Sequence, residues 1–365
     1  MSDNLMANES GERIQNSDCT SLGYWAAHEQ YSMRDLLRFV IEAEKYGFKT
    51  TMTSDHFHPW WHDDAYGNFV WVWIAAAAER TKNMQFITGV TAPIYRYHPA
   101  IIAQAFASLD ILYPGRVGLG LGTGESMNEV PLGFDWPSQK VRLDRVIEAA
   151  QIIDRLWYPE RPNDPESIKT EGFVHFRGEY FLIRDAKLYS PPISHIPIFI
   201  AAAGPQSAKA AAKYSDGLIT FLKAKESQKI IEVFDKSIND DPKAKNINSK
   251  EKIVEYKVSY SDDYEKALDS SKFWSATLLN NAFNSNISDP RKLEHQAKAQ
   301  VSNKMLKESI EITTSIEDCF KSIEEYFTVG FTRVYVHSTS PDEMKFIREF
   351  GKKILPYFQG RIKNN

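Results

Sequence analysis

The densest run of chemically able side chains is Ser54-Asp55-His56-Phe57-His58-Pro59-Trp60-Trp61-His62-Asp63-Asp64. Imidazoles and carboxylates so close together suit two chemistries. One is proton transfer, because histidine changes charge near neutral pH. The other is ligation of a transition metal, which imidazole and carboxylate both support. The metal reading through His56-x-His58 lacks an obvious further ligand set, since the other strand-end histidines are His28 and His337. No metal is expected. His58 and His62 read as loop residues packed on Trp60 and Trp61. His56 reads as catalytic, because Asp55 adjoins it and Glu125 closes a neighbouring strand.

Two glycine-containing turns come next. Gly118, Gly120, Gly122 and Gly124 do not meet the G-x-G-x-x-G spacing of a dinucleotide fingerprint, and no G-K-[ST] follows for a phosphate loop. Small residues at this point let a flat ring lie against the chain. Glu125, beside the turn, supplies a carboxylate suited to acid/base work. Ala201-Ala202-Ala203-Gly204-Pro205-Gln206-Ser207 opens a helix. Its free N–H groups make either an anion site, with Ser207 as a further donor, or an ordinary strand-to-helix turn.

These residues need elements to position them. Short apolar runs predict strands at 22–27, 48–54, 84–92, 117–122, 196–202, 217–222, 253–260 and 332–337. Helical periodicity predicts helices at 33–46, 69–81, 99–112 and 141–157, one from 206, one near 227–236 and a last at 341–355. Gly47 and Pro114-Gly115 read as helix stops. A small hairpin is expected at 175–183. Eight evenly spaced strands alternating with helices favour a closed (β/α)8 TIM barrel over an open doubly wound sheet. Active-site residues of such a barrel stand at the C-terminal ends of its strands. That is where Glu29, His56, Gly89-Val90, Glu125 and Gly204 fall.

The expected organisation is a disordered tail over residues 1–20, rich in Ser, Asn and Asp. One barrel domain follows over 21–365, with insertions near 158–190 and 263–310. The 365 residues carry 44 Lys+Arg against 48 Asp+Glu, a net charge of −4. Such a balance argues against nucleic acid as a partner. The start has no apolar signal core, and the best apolar stretch, 69–78, is far below a membrane span. Two cysteines cannot build a disulfide framework or a four-cysteine zinc site. A reducing, cytoplasmic setting is expected, with no membrane partner.

Several segments together resemble the coenzyme F420-dependent dehydrogenases of the luciferase-like superfamily. They are Gly23-Tyr24, Glu29-Gln30, Ser54-Asp55-His56-Phe57-His58-Pro59-Trp60, Arg96-Tyr97-x-Pro99-Ala100, Tyr113-Pro114-x-Arg116-Val117, Gly122-Thr123-Gly124-Glu125-x-x-Asn128-Glu129 and Ala201-Ala202-x-Gly204-Pro205. The likeness runs from about residue 21 to the end and thins after 220. Within the superfamily the chain is similar to the glucose-6-phosphate and secondary alcohol dehydrogenase branch. The resemblance implies a luciferase-like barrel, coenzyme F420 as cofactor, and a homodimer. It implies that His56 is the active-site histidine, that Trp60 covers the reacting carbon and that Glu125 is its acid/base partner. Glu29 would line the substrate pocket, and Asp55 would meet the edge of the deazaflavin ring. Gly89 and Val90 would carry a non-proline cis peptide under that ring, with Ala92 alongside. Thr123, Gly124 and Asn128 would hold the ribityl-phosphate side, and Ala203, Gly204, Gln206 and Ser207 the phosphate.

One departure bears on substrate. The Thr, two Lys and Arg that hold the sugar phosphate in the glucose-6-phosphate enzymes align with Phe221, Ala224, Asn284 and Glu308. Lys223, Lys225 and Lys307 lie adjacent. As aligned, no phosphate clamp is present, and Glu308 would repel a phosphate. The sequence therefore points to a small alcohol or sugar, non-phosphorylated, as substrate. The competing readings are a glucose-6-phosphate dehydrogenase, an FMN-dependent monooxygenase on the same barrel, a cofactor carrier without turnover, and a metal-dependent hydrolase.

Overall fold

The computed structural model describes residues 21–160, 170–241, 250–280, 282–284 and 286–359, with position 284 described in its backbone only. The expected tail over 1–20 lies outside the described residues. Strands are numbered in chain order: β1 (Ser21–Ala26), β2 (Thr50–Thr53), β3 (Gln85–Thr88), β4 (Val117–Leu121), β5 (Val174–Arg177), β6 (Leu182–Ala186), β7 (Ile198–Ala201), β8 (Gly217–Thr220), β9 (Glu251–Tyr260), β10 (Glu311–Thr313) and β11 (Arg333–Ser338). Eight of them, β1-β2-β3-β4-β7-β8-β9-β11, pair side by side and in parallel. The pairing of β11 with β1 and of β8 with β9 closes the barrel. β5 and β6 form the expected antiparallel hairpin.

Each turn of the barrel follows from local chemistry. Ser32 caps the helix Met33–Lys45 by accepting from the Asp35 N–H. Pro99 starts the helix Pro99–Leu112 at a position where a missing N–H costs nothing. The glycines of β4 have a packing reason rather than a nucleotide-binding one. A Cβ on Gly120 would sit 2.0 Å from the Thr88 carbonyl oxygen, and one on Gly122 would sit 2.2 Å from Val90 Cγ2.

Two apolar layers hold the fold. One lies between the sheet and the surrounding helices, with Leu36, Trp73, Phe106, Ile153, Phe234 and Phe346 buried in it. The other fills the barrel with Trp25, Met52, Ile87, Phe199, Ile219, Ile253 and Tyr335. The second layer continues upward through Trp60, Trp61, Trp274, Leu293 and Leu306. The inserted helices between β9 and β10 therefore pack onto the C-terminal mouth of the barrel. They contact the loop after β2 through Glu294, which accepts from the His62 and Asp63 N–H groups at 2.9 Å each. Phe283 stands edge-on to Trp60.

Several elements were not expected from the sequence, among them the short helices Ser126–Glu129 and Leu355–Phe358. The helix Cys319–Val329, which returns the chain from β9 to β11, ends in a left-handed Gly330. The short strand β10 extends the sheet beside the last three residues of β9.

Candidate active site

The strand ends bring the expected residues to the C-terminal mouth. His56, just past β2, lies between two carboxylates. Its Nε2 is 3.6 Å from Glu29 Oε1 and 3.9 Å from Glu125 Oε2. Glu29 is fixed from its other oxygen, which accepts from Ser54 Oγ at 2.5 Å. Glu125 is fixed by Asn128, whose Nδ2 donates to Oε2 at 3.0 Å. Asn128 in turn accepts from the Phe57 N–H at 2.7 Å, tying the loop after β4 to the loop after β2. Trp60 is buried, with its ring centroid 6.2 Å from that of His56. The His56 Nδ1 is buried without a protein partner.

Asp55 has a different environment from its neighbour. Its carboxylate accepts from Thr91 Oγ1 at 2.7 Å and pairs with Arg96 Nη2 at 3.0 Å. Tyr97 donates to it at 3.4 Å. The expected ring-edge residue is thus also a hub joining the loops after β2 and β3. Glu129 sits nearby and competes for the same cation. It accepts from the Arg96 backbone N–H at 2.8 Å, while the Arg96 guanidinium goes to Asp55. Burial pushes the Glu129 carboxyl up to about 7, the Glu125 charge adds to the rise, and the N–H groups of Arg96 and Tyr95 offset part of it.

The Gly89–Val90 peptide is cis, as the resemblance implies. A Cβ on Gly89 would meet Met52 Sδ at 2.5 Å and Trp25 Cη2 at 3.0 Å. Ala92 is buried, and Val90 and Thr123 are half-buried on the same side of the mouth. Gly124 has φ +65°, which only glycine adopts without strain. Gly204 caps the helix Pro205–Tyr214, and Ser207 Oγ exchanges hydrogen bonds with the Gly204 N–H and C=O. Ala203 and Gln206 are exposed at this helix start.

The other candidates named from the sequence fall elsewhere. The His58 Nδ1 stands 3.2 Å from the Ser288 carbonyl, and its ring stacks on Phe57 rather than on a tryptophan. His28 is fully buried edge-on to Trp73, and burial lowers its imidazole to about 3. Among the described residues no group of three or more His, Cys, Asp or Glu is arranged to hold a metal ion. Of the phosphate-clamp positions, Phe221 is exposed, Ala224 is buried, and Glu308 lies 3.8 Å from Lys304. Lys307 lies over the Tyr264 ring.

The residues fit a flat heterocycle with a phosphate-bearing tail. The His56 Nδ1 is buried without a protein partner at the mouth, small residues at Gly89, Gly122 and Gly124 let the backbone pack closely beside it, and the start of the helix Pro205–Tyr214 offers N–H groups.

Comparison with known proteins gives the family. A family model described as luciferase-like monooxygenase matches residues 19–333. The chain is 33% identical over 344 residues to an F420-dependent glucose-6-phosphate dehydrogenase of Microbacterium testaceum (strain StLB037), covering 93% of this chain and 98% of that one. It is 34% identical to the enzyme of that name from Mycobacterium avium (strain 104), over 92% and 97% of the two chains. Among solved structures, an F420-dependent secondary alcohol dehydrogenase in complex with an F420–acetone adduct superposes with a TM-score of 0.85. That pair is 35% identical over 93% of this chain and 99% of the other. The chain belongs to the luciferase-like family. Within that family it falls in the branch of F420-dependent oxidoreductases.

Proposed function

We propose that this protein is an F420-dependent dehydrogenase that moves a hydride between the C–H of an alcohol or sugar and the deazaflavin of coenzyme F420. The observation that carries the reading is His56 held between Glu29 and Glu125 at the barrel mouth. The bound cofactor supplies the carbon that takes or gives the hydride. The chain supplies the rest. His56 takes the hydroxyl proton as the C–H bond breaks, and the two flanking carboxylates stabilise the imidazolium that results. Asn128 keeps Glu125 in place, and buried Trp60 limits water above the histidine. Asp55, Gly89, Val90 and Ala92 are the residues assigned to the ring. Thr123, Gly124 and Asn128 are assigned to the ribityl side, and Ala203, Gly204, Gln206 and Ser207 to the phosphate.

The substrate we favour is a non-phosphorylated alcohol or sugar. Phe221, Ala224 and Glu308 offer no cation at the positions of a phosphate clamp. Glucose 6-phosphate is the second reading, favoured by the activity named for the curated relatives. The working unit is proposed to be the 21–365 barrel as a cytoplasmic homodimer. An apolar stripe on two neighbouring helices, Phe69 and Val72 on one side and Ile101 and Leu112 on the other, is exposed and supports the dimer. A buried free thiol at Cys319 fits a reducing compartment.

The test is a titration of the purified protein with F420 and, separately, with FMN. A panel of alcohols, glucose and glucose 6-phosphate is then followed by F420 absorbance. Binding of F420 with turnover of an alcohol supports the proposal. Binding of FMN alone overturns it in favour of a monooxygenase. F420 binding without turnover of any panel member leaves a cofactor carrier as the reading.

A further inference from the structure

β9 carries the charged residues Glu255 and Lys257 on one face of the strand. Lys257 pairs in register with His337 on β11. The Glu255 carboxylate binds both neighbours: Oε1 lies 2.5 Å from His337 Nδ1, and Oε2 accepts from Lys257 Nζ at 2.6 Å. Burial lowers the His337 imidazole below its ordinary value, with the Glu255 carboxylate opposing part of that drop. Burial alone would raise Glu255, but Lys257 and His337 hold it down to about 2, so it is ionised.

This cluster lies within electrostatic reach of Glu29, the carboxylate beside His56. His337 stacks on Trp25, with ring centroids 5.3 Å apart, and the far edge of Trp25 reaches Gly89. Lys257 Nζ lies 5.6 Å from the Trp274 ring, whose Nε1–H donates to Gln30 beside Glu29. Contacts thus run unbroken from the cis Gly89–Val90 bulge, through Trp25, His337, Glu255, Lys257 and Trp274, to the Glu29–His56 pair. Within the cluster Glu255 is 4% and His337 0% exposed, whereas Lys257 is 19% exposed. Lys257 has donors left for a ligand, because an ammonium carries three and Glu255 uses one, and the buried Trp25 Nε1 and His337 Nε2 in the same run of contacts also have no partner.

We infer that Lys257 is a substrate-binding residue that donates to a second, uncharged oxygen of the substrate, so that the enzyme selects diols and neutral sugars over simple alcohols. The proposal rests on the dehydrogenase reading above. Glu255 and His337 are positioning residues that set the direction of the ammonium. The ligand oxygen is uncharged because Glu255 already balances the lysine charge, and Glu29 would further repel an anion. A cation needed only to neutralise Glu255 would be dispensable, since an apolar pair of similar volume fills a buried position at least as well.

The experiment compares 1,3-butanediol with 2-butanol, which differ by one hydroxyl. Relative affinity is read twice, as KM with F420 and as perturbation of tryptophan emission, since Trp25 and Trp274 lie beside the cluster. The wild type is expected to favour the diol about tenfold or more, the effect of one hydrogen bond from a charged donor. Lys257→Met is expected to bring the ratio near one, and Lys257→Arg to keep most of it. If Lys257→Met does not fold, Lys257→Gln against Lys257→Arg reads the same ratio. A wild type without diol preference, or a preference that survives removal of the amine, overturns the inference. Failure to bind F420 would instead sink the dehydrogenase reading, and the emission measurement still decides the role of Lys257.

Discussion

Glu129→Gln isolates one proton in the mouth of the barrel. Asp55 and Glu129 both lie against Arg96, but the guanidinium goes to Asp55, leaving Glu129 only backbone donors. Burial then keeps the Glu129 carboxyl protonated up to about 7, against an ordinary value of 4.5. A carboxyl raised on folding adds stability that is fully present below 4.5 and is lost as pH rises through 7. At about 1.36 kcal/mol per pH unit, that interval amounts to about 3 kcal/mol. Glutamine copies the shape of the protonated acid and cannot ionise. Urea unfolding at pH 5 should therefore find wild type and Glu129→Gln nearly equal. At pH 8 the variant should be more stable by about 2–3 kcal/mol. A variant equally less stable at both pH values would refute the reasoning. It would mean that Glu129 is ionised and paired in the native protein.

Three further outcomes are expected. His56→Ala should bind F420 within a few-fold of wild type by fluorescence titration while kcat falls at least about 100-fold, because the proton acceptor is gone; retained turnover would remove His56 from the chemistry. Gly120→Ala should lower stability by about 3 kcal/mol in urea unfolding, because its methyl would meet the Thr88 carbonyl oxygen at 2.0 Å; an unchanged midpoint would show that the strands part at no cost. Ile101→Asp should convert a dimer to monomers in sedimentation velocity, because it charges the exposed apolar stripe; a monomeric wild type, or a dimeric variant, would place the interface elsewhere or nowhere.

Strands and helices of the first half are readable because their ends carry chemical marks. The helix Pro99–Leu112 begins at a proline and stops before Pro114-Gly115, and the structure has the same bounds. The helix Cys319–Val329 carries marks too, with Phe320, Ile323 and Phe327 on one stripe and Gly330 after it. It is easily absorbed between the long insertion and the last strand. β10 has three residues and shows no period to read. In the site, Glu29, His56 and Glu125 are legible as ionisable residues at predicted strand ends. The Asn128–Phe57 and Thr91–Asp55–Arg96 bonds are not, because each joins loops from different strands and depends on which rotamers meet. Lys257 does leave a signal in the sequence. Alternation along β9 puts 253, 255 and 257 on one face, and charge on the face shared with Ile253, inside the barrel, is out of place.

Charge accounting then connects the acid/base site to the choice of substrate. Glu29, Asp55, Glu125, Glu129 and Glu255 stand around the mouth, with the cations Arg96 beside Asp55, Lys257 beside Glu255 and Arg142 acting on Glu125. Arg96 is committed to Asp55 and Lys257 to Glu255. Glu129 is neutral near and below pH 7 by holding its own proton. Glu29 and Glu125 flank His56, and under the proposed mechanism the proton released by the substrate hydroxyl moves toward that histidine. The same two carboxylates oppose an incoming dianion. Their repulsion falls on a phosphate group but not on a hydroxyl, which gains a donor from Lys257 without adding charge. On the proposed reading, the carboxylates flanking His56 suit a neutral alcohol better than a sugar phosphate.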